Sequence, residues 1–98
     1  MKYEIYWVNN AKDKLRNIYN FITKSWDKKI ADEFIDKLNY KLNLLSYFPN
    51  IGQKSLKKKH LRRYIISEQI SLFYKIDKKK IIILTLFDNR QDPKKLKY

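Results

Sequence analysis

The hydrophobic period changes several times along the chain, and the changes divide it into elements. Residues 3–8 alternate, with Tyr3, Ile5 and Trp7 on one side, which predicts a short strand. From residue 11 the period lengthens. Ala11, Leu15, Ile18 and Ile22 recur at helical spacing, while Lys12, Asp13, Lys14, Arg16 and Asn17 turn mostly away. Asn9 or Asn10 is placed to cap this helix. A second stripe follows, formed by Ile30, Ala31, Phe34, Ile35, Leu38, Leu42 and Leu45, with Ser25 or Asp27 placed to start it. Few residues separate the two helices, so they fold back on each other as an antiparallel pair.

Phe48-Pro49-Asn50-Ile51-Gly52 ends the helical half in a turn. Residues 53–60 have no apolar period and read as an exposed lead-in. Residues 61–66 and 70–76 read as strands around Ser67-Glu68-Gln69, a turn without glycine. Asp77-Lys78-Lys79-Lys80 turns into the last strand, residues 81–87, rich in β-branched and aromatic side chains. That strand stops at Asp88-Asn89-Arg90-Gln91-Asp92-Pro93, because proline cannot continue a ladder and Asn and Asp favour turns. Arg90 therefore stands where a stiff element meets a loose one. The element order is β-α-α-β-β-β. Three consecutive strands joined by short turns form an antiparallel meander. The expected fold is α+β in two layers, an α-hairpin packed on an antiparallel sheet, with residues 1–98 as a single domain.

Composition narrows the function. The 98 residues include no cysteine and one histidine, which argues against a disulfide framework or a structural zinc site. No signal-peptide core is evident and no apolar run approaches the ~20 residues of a membrane span. A soluble, cytoplasmic chain without a cofactor, membrane contact or small-molecule ligand is expected. The net charge of +13 is uneven. Residues 1–53 hold nine Lys/Arg against six Asp/Glu, and residues 54–98 hold fourteen against four. Such a field costs self-repulsion and suits an anionic partner, either nucleic acid or an acidic protein. Lys57, Lys58 and Lys59 are its densest run. Among the aromatics, Tyr19, Phe21, Phe34, Phe73 and Phe87 fall on apolar faces and read as core. Trp26 and Tyr47, near helix ends, are the better candidates for contact with a partner.

The order of these features resembles the RelE/ParE superfamily of toxins from bacterial type II toxin–antitoxin systems, in particular its ParE-like, plasmid-stabilisation members. The resemblance rests on Trp7, Ile18-Tyr19-Asn20-Phe21-Ile22, Trp26, Phe48-Pro49 and Leu61-Arg62-Arg63. It continues through Leu72-Phe73-Tyr74-Lys75-Ile76 and the closing Leu84-Thr85-Leu86-Phe87-Asp88-Asn89-Arg90-Gln91-Asp92-Pro93. It implies a growth-inhibiting toxin and a cognate antitoxin that covers the sheet face, adding a strand or laying a helix in a groove. ParE-like members act on DNA gyrase. RelE-like members are metal-independent endonucleases that cut mRNA on the ribosome, and fold alone does not choose between the two. A third reading is a non-toxic basic module that binds nucleic acid or antitoxin.

Cleavage of RNA by its own 2′-hydroxyl needs a base, an acid and cations around the phosphate. For a nuclease the resemblance points to Arg62, His60, Arg90 and Tyr98 as catalytic residues. For binding of the target or nucleic acid, the charge distribution points to Lys57, Lys58 and Lys59, joined by Arg62, Arg63 and Arg90. In RelE-like nucleases the strand motif similar to Leu72-Phe73-Tyr74 follows a basic residue, where this chain has Ser71. A second such basic position is matched by Tyr64. Losing one preorganised donor costs roughly 100-fold or more in rate, so ParE-like action is preferred. Arg62 and Arg63, adjacent on a strand, must point to opposite faces. Cations from the last three strands are expected to converge on one hollow, and an Arg90→Ala variant is expected to be less toxic.

Overall fold

In the computed structural model, which describes residues 2–89, β1 (Glu4–Trp7) runs straight into α1 (Asn9–Ser25), and α2 (Lys28–Tyr47) returns beside it. Four more strands follow: β2 (Gln53–Lys54), β3 (Arg62–Ile65), β4 (Ile70–Asp77) and β5 (Lys80–Asp88). The sheet order is β1-β5-β4-β3-β2. The meander from β2 to β5 is antiparallel, as its short turns require. β1 lies parallel to β5, so the sheet is mixed rather than purely antiparallel. The connection from β1 to its parallel neighbour β5 is long, as such a pair requires, and runs through the α-hairpin and then β2, β3 and β4. β2 is an addition, a two-residue strand inside the stretch expected to be only a lead-in.

Local chemistry sets the boundaries. Neither Asn9 nor Asn10 caps α1; the cap residue is Val8, in extended backbone and without a side-chain cap. The Val8 amide still donates to Ile83 O of β5 at 3.2 Å, and its carbonyl already accepts from Lys12 N at 3.1 Å. The strand therefore becomes helix within one residue. α2 does have a side-chain cap: Asp27 accepts from Ile30 N at 2.8 Å. In the glycine-free turn between β3 and β4, Ser67 Oγ accepts from the amides of Gln69 and Ile70. A further clamp ties the two helices: Tyr19 Oη donates to Asp32 Oδ1 at 2.8 Å, and Lys28 Nζ holds Asp32 Oδ2 at 2.8 Å.

The core lies between the hairpin and one sheet face. Ala11, Leu38, Leu42 and Leu45 meet Tyr64, Leu72, Tyr74, Ile81, Ile83 and Leu86, with Ile5, Trp7, Leu15, Ile18 and Phe34 packed against them. The α1 stripe and the β1 alternation are those expected, and so is the α2 stripe apart from Ile30, which is 40% exposed. Of the aromatics expected in the core, Phe21 is 56% exposed, and Tyr19 and Phe87 are half-buried outside the core cluster. Ile18 and Ile22 take the sheet-facing positions of α1, and Phe21 falls between them on the outer side. Trp26 and Tyr47 are exposed, 71% and 50%.

Candidate functional site

β3 delivers Arg62 and Arg63 to opposite sides of the sheet, as strand alternation demands. Tyr64 belongs to the helix-facing core, so Arg62, two residues away, shares its side and Arg63 lies on the other. Arg62 is committed to the chain's own backbone: its Nη1 donates to Gly52 O at 2.6 Å and to Asn50 O at 3.2 Å. Those carbonyls belong to the turn after α2. The same turn is gripped by Tyr74 Oη, which donates to Pro49 O at 2.6 Å and accepts from Gly52 N at 3.0 Å.

Arg63 is the cation presented on the face away from the helices. The register pairs Arg63 with Phe73, Ile65 with Ser71, and Ser71 with Phe87. Ser71, Phe73 and Thr85 therefore line this face, and all three are buried. Arg63 Nε donates to Ser71 Oγ at 3.0 Å, and Arg63 Nη2 donates to Asn89 Oδ1 at 2.9 Å. Ser71 Oγ in turn donates to Asn89 Oδ1 at 2.8 Å. Asn89 is itself fixed, its backbone amide donating to Gln69 O at 2.6 Å and its Nδ2 to Glu68 O at 3.3 Å. Two N–H groups along one edge of the guanidinium are thus held by neutral oxygens, so the charge is positioned without being neutralised. Lys75, two residues beyond Phe73 on β4, falls on the same face by alternation.

The remaining expected residues stand elsewhere. Lys57, Lys58, Lys59 and His60 lie exposed on the loop 55–61, which joins β2 to β3. Ser55 orders that loop. Its Oγ accepts from the amides of Lys57 and Lys58, and its amide donates to Leu61 O at 2.8 Å. Leu56, at the head of the run, is fully exposed. His60 precedes β3, whereas Ser71 and Asn89 lie toward the far end of that strand. Among the described residues, then, the cations of the last three strands do not all converge on one hollow. Arg62 is bound into a turn, the lysine run sits at a sheet end, and Arg63 and Lys75 remain on the face. Arg90 and Tyr98 lie outside the described residues. Sequence reasoning did not single out Asn89, or Ser71 as a partner of Arg63.

Tyr64, the second position where a basic residue was sought, is a core residue with Lys41 Nζ 5.6 Å from its ring centroid. Burial pushes its phenol up. A separate groove of about 500 Å³ runs between β1 and α2, lined by Tyr3, Ile5, Asn39 and Leu42 among others. None of the expected site residues lines it.

With this geometry in place, comparison with known proteins gives a consistent answer. The sequence model of the family described as ParE toxin of type II toxin–antitoxin system, parDE, matches residues 5–93. The fold is similar to that in the chromosomal ParDE system from P. aeruginosa, with a TM-score of 0.75 and 17% identity, covering 89% of this chain and 96% of that one. It is similar to the RelBE2 toxin–antitoxin complex from Mycobacterium tuberculosis, with a TM-score of 0.63 and 15% identity, covering 91% and 100% of the two chains. It is also similar to the E. coli DinJ–YafQ toxin–antitoxin complex, with a TM-score of 0.63 and 14% identity, covering 90% and 93%. No curated protein matches the sequence.

Proposed function

Because the chain belongs to the ParE toxin family of type II toxin–antitoxin systems, we propose that it arrests growth by binding DNA gyrase when free of its antitoxin. The observation that carries this reading is the state of Ser71. A nuclease of the RelE type would have a cation at this position, beside the phosphate. Here a neutral hydroxyl, fully buried, is used up in holding Arg63 and Asn89. With Arg62 bound to Asn50 and Gly52, Arg63 and Lys75 are the cations left on this face among the described residues, a small charge with which to stabilise a crowded phosphate. One positioned guanidinium on a sheet face suits recognition of a carboxylate on a protein surface instead. Arg63, with Arg90 directly after Asn89, is the proposed centre of that contact.

The cognate antitoxin is the second partner. It neutralises the toxin by covering the face that carries Arg63, and an acidic segment would complement its charge.

The test pairs two assays on the purified chain. Supercoiling by DNA gyrase is expected to be inhibited at stoichiometric toxin, and inhibition is expected to be relieved by the antitoxin. Primer extension on mRNA from translating ribosomes is expected to show no new ends. Cleavage at ribosomal A-site codons with supercoiling unaffected would overturn the reading in favour of a nuclease. Normal growth on induction of folded protein would overturn both.

A further inference from the structure

The meander sorts charge in a way the linear sequence conceals. Successive hairpins of an antiparallel sheet open at alternate ends. The β2–β3 loop and the β4–β5 turn therefore lie at the same end, and the β3–β4 turn at the opposite one. The first two carry Lys57, Lys58, Lys59 and Lys78, Lys79, all exposed. The opposite end carries Glu68, and Asp88 pairs with Ile70 beside it. No acidic residue occurs from 54 to 67. Glu4 and Asp77 do lie at the lysine end, both opposite Lys80 in the register, and they offset part of the Lys80 charge.

Both lysine groups sit on short, ordered loops. The first is closed by Ser55, as described above. The second is a two-residue turn between paired Asp77 and Lys80, with Lys78 held at a φ of 57°. The two loops are about two strand spacings apart, ~10 Å. That separation is close to the ~12 Å width of the B-DNA major groove. Each loop can then meet the phosphates on one wall of the groove. Neither loop carries a Phe, Tyr or Trp on which successive unpaired bases could stack, and His60 is the single ring between them. A second copy of the chain would be repelled by a net charge of +13.

We propose that this end of the sheet is a docking surface for the backbone of duplex DNA. It is distinct from the face that carries Arg63, and it reads charge and groove shape rather than base sequence. The contact does not depend on the gyrase reading.

Fluorescence anisotropy of the full chain with a labelled 20-base-pair duplex, from 50 to 200 mM salt, tests it. Non-specific affinity in the range of ~1 to 100 µM is expected, falling with salt at a log–log slope of roughly −0.9 per phosphate contacted. Lys57→Gln/Lys58→Gln/Lys59→Gln is expected to reduce the slope by about two to three, and Lys78→Asn/Lys79→Gln by about one to two. Lys12→Gln/Lys14→Gln/Lys24→Gln on α1 removes as much charge as the first variant but is expected to leave the slope unchanged. Circular dichroism checks that every variant is folded. Equal losses in the α1 and loop variants would overturn the proposal, since net charge alone would then explain binding. Tighter binding to a single strand than to the duplex would overturn it, as would binding to an acidic peptide with none to the duplex.

Discussion

Arg63 stands on β3 and Asn89 directly after β5, and they meet across β4 through one hydrogen bond of 2.9 Å from Nη2 to Oδ1. Asn89 brings no charge of its own to the contact. Its Oδ1 accepts from Arg63 and Ser71, and its Nδ2 donates to the Glu68 carbonyl. It orients the guanidinium and leaves its charge to act outward. Asn89→Ala should therefore loosen Arg63 and remove a hydrogen bond to a charged group, worth about 1 kcal/mol at this half-exposed site. The expected fall in Tm is roughly 4–8 °C, read by thermal denaturation. Asn89→Asp separates orientation from charge. It keeps the acceptor and pairs Arg63 with a carboxylate but loses the exposed Nδ2 bond to Glu68 O, so toxicity should fall while Tm changes little, the new ion pair offsetting the lost bond. Equal toxicity of Asn89→Asp and wild type would remove Arg63 from the target contact.

Restoring a cation at Ser71 is expected to fail. The residue is fully buried, and its hydroxyl lies 3.0 Å from Arg63 Nε. A Ser71→Lys variant would place an ammonium against a like charge away from water, a cost of at least ~3 kcal/mol. Most of the protein should become insoluble, and any soluble fraction should melt far below wild type without cutting mRNA. A stable Ser71→Lys variant with nuclease activity would revive the reading set aside above.

The interhelical clamp predicts an acid-side stability loss. Lys28 and then Tyr19, by hydrogen bonding to Asp32, hold its carboxyl below the ordinary carboxylate range. A group with a depressed folded pKa stabilises above its unfolded pKa, and loses that contribution as pH falls through the folded value. The difference in urea midpoint between wild type and Asp32→Asn should thus be constant near neutrality and shrink below about pH 4. At the other extreme, the hydrogen bonds to Asp32 raise both Tyr19 and Lys28. Raised groups stabilise below their unfolded values, so a second loss is expected as pH rises past about 10. Asp32→Asn should blunt this alkaline loss as well, because the carboxylate is the first cause of both shifts.

What could be read from the chain beforehand was whatever depends on neighbours in sequence. The stripe Ala11, Leu15, Ile18, Ile22 and the alternation Tyr3, Ile5, Trp7 are local periods, and they fixed the buried faces. The same reasoning gave opposite faces for Arg62 and Arg63, though it could not say which arginine faced outward. That choice depends on Tyr64 joining the core and on a turn ten residues upstream offering two carbonyls to Arg62. The Arg63–Ser71–Asn89 triangle depends on register, since Asn89 reaches Ser71 only because Asp88 pairs with Ile70. A short polar residue after a strand gives no hint of that. The place of β1 was equally hidden, because its partner β5 lies at the far end of the chain and the pairing is parallel.

The turn after α2 offers the strongest test of the fold itself. Gly52 is there because of close approach. A Cβ at this position would lie 2.7 Å from both Cε1 and Oη of Tyr74, and 3.0 Å from Arg63 O. The Tyr74 ring is fully buried and cannot swing away, so Gly52→Ala must push the turn off the sheet. That breaks the bonds from Gly52 N to Tyr74 Oη and from Arg62 to Gly52 O together. A loss of about 2–4 kcal/mol is expected. Tyr74→Phe removes only the hydroxyl, leaving Pro49 O without its donor and Gly52 N without its acceptor, for about 1–3 kcal/mol. Since the hydroxyl is one of the atoms that the added methyl group would strike, the two changes cannot be independent. In a double-mutant cycle by chemical denaturation, the combined variant should lose clearly less than the sum of the two. Strict additivity would mean that the turn is held by contacts other than the Tyr74 hydroxyl.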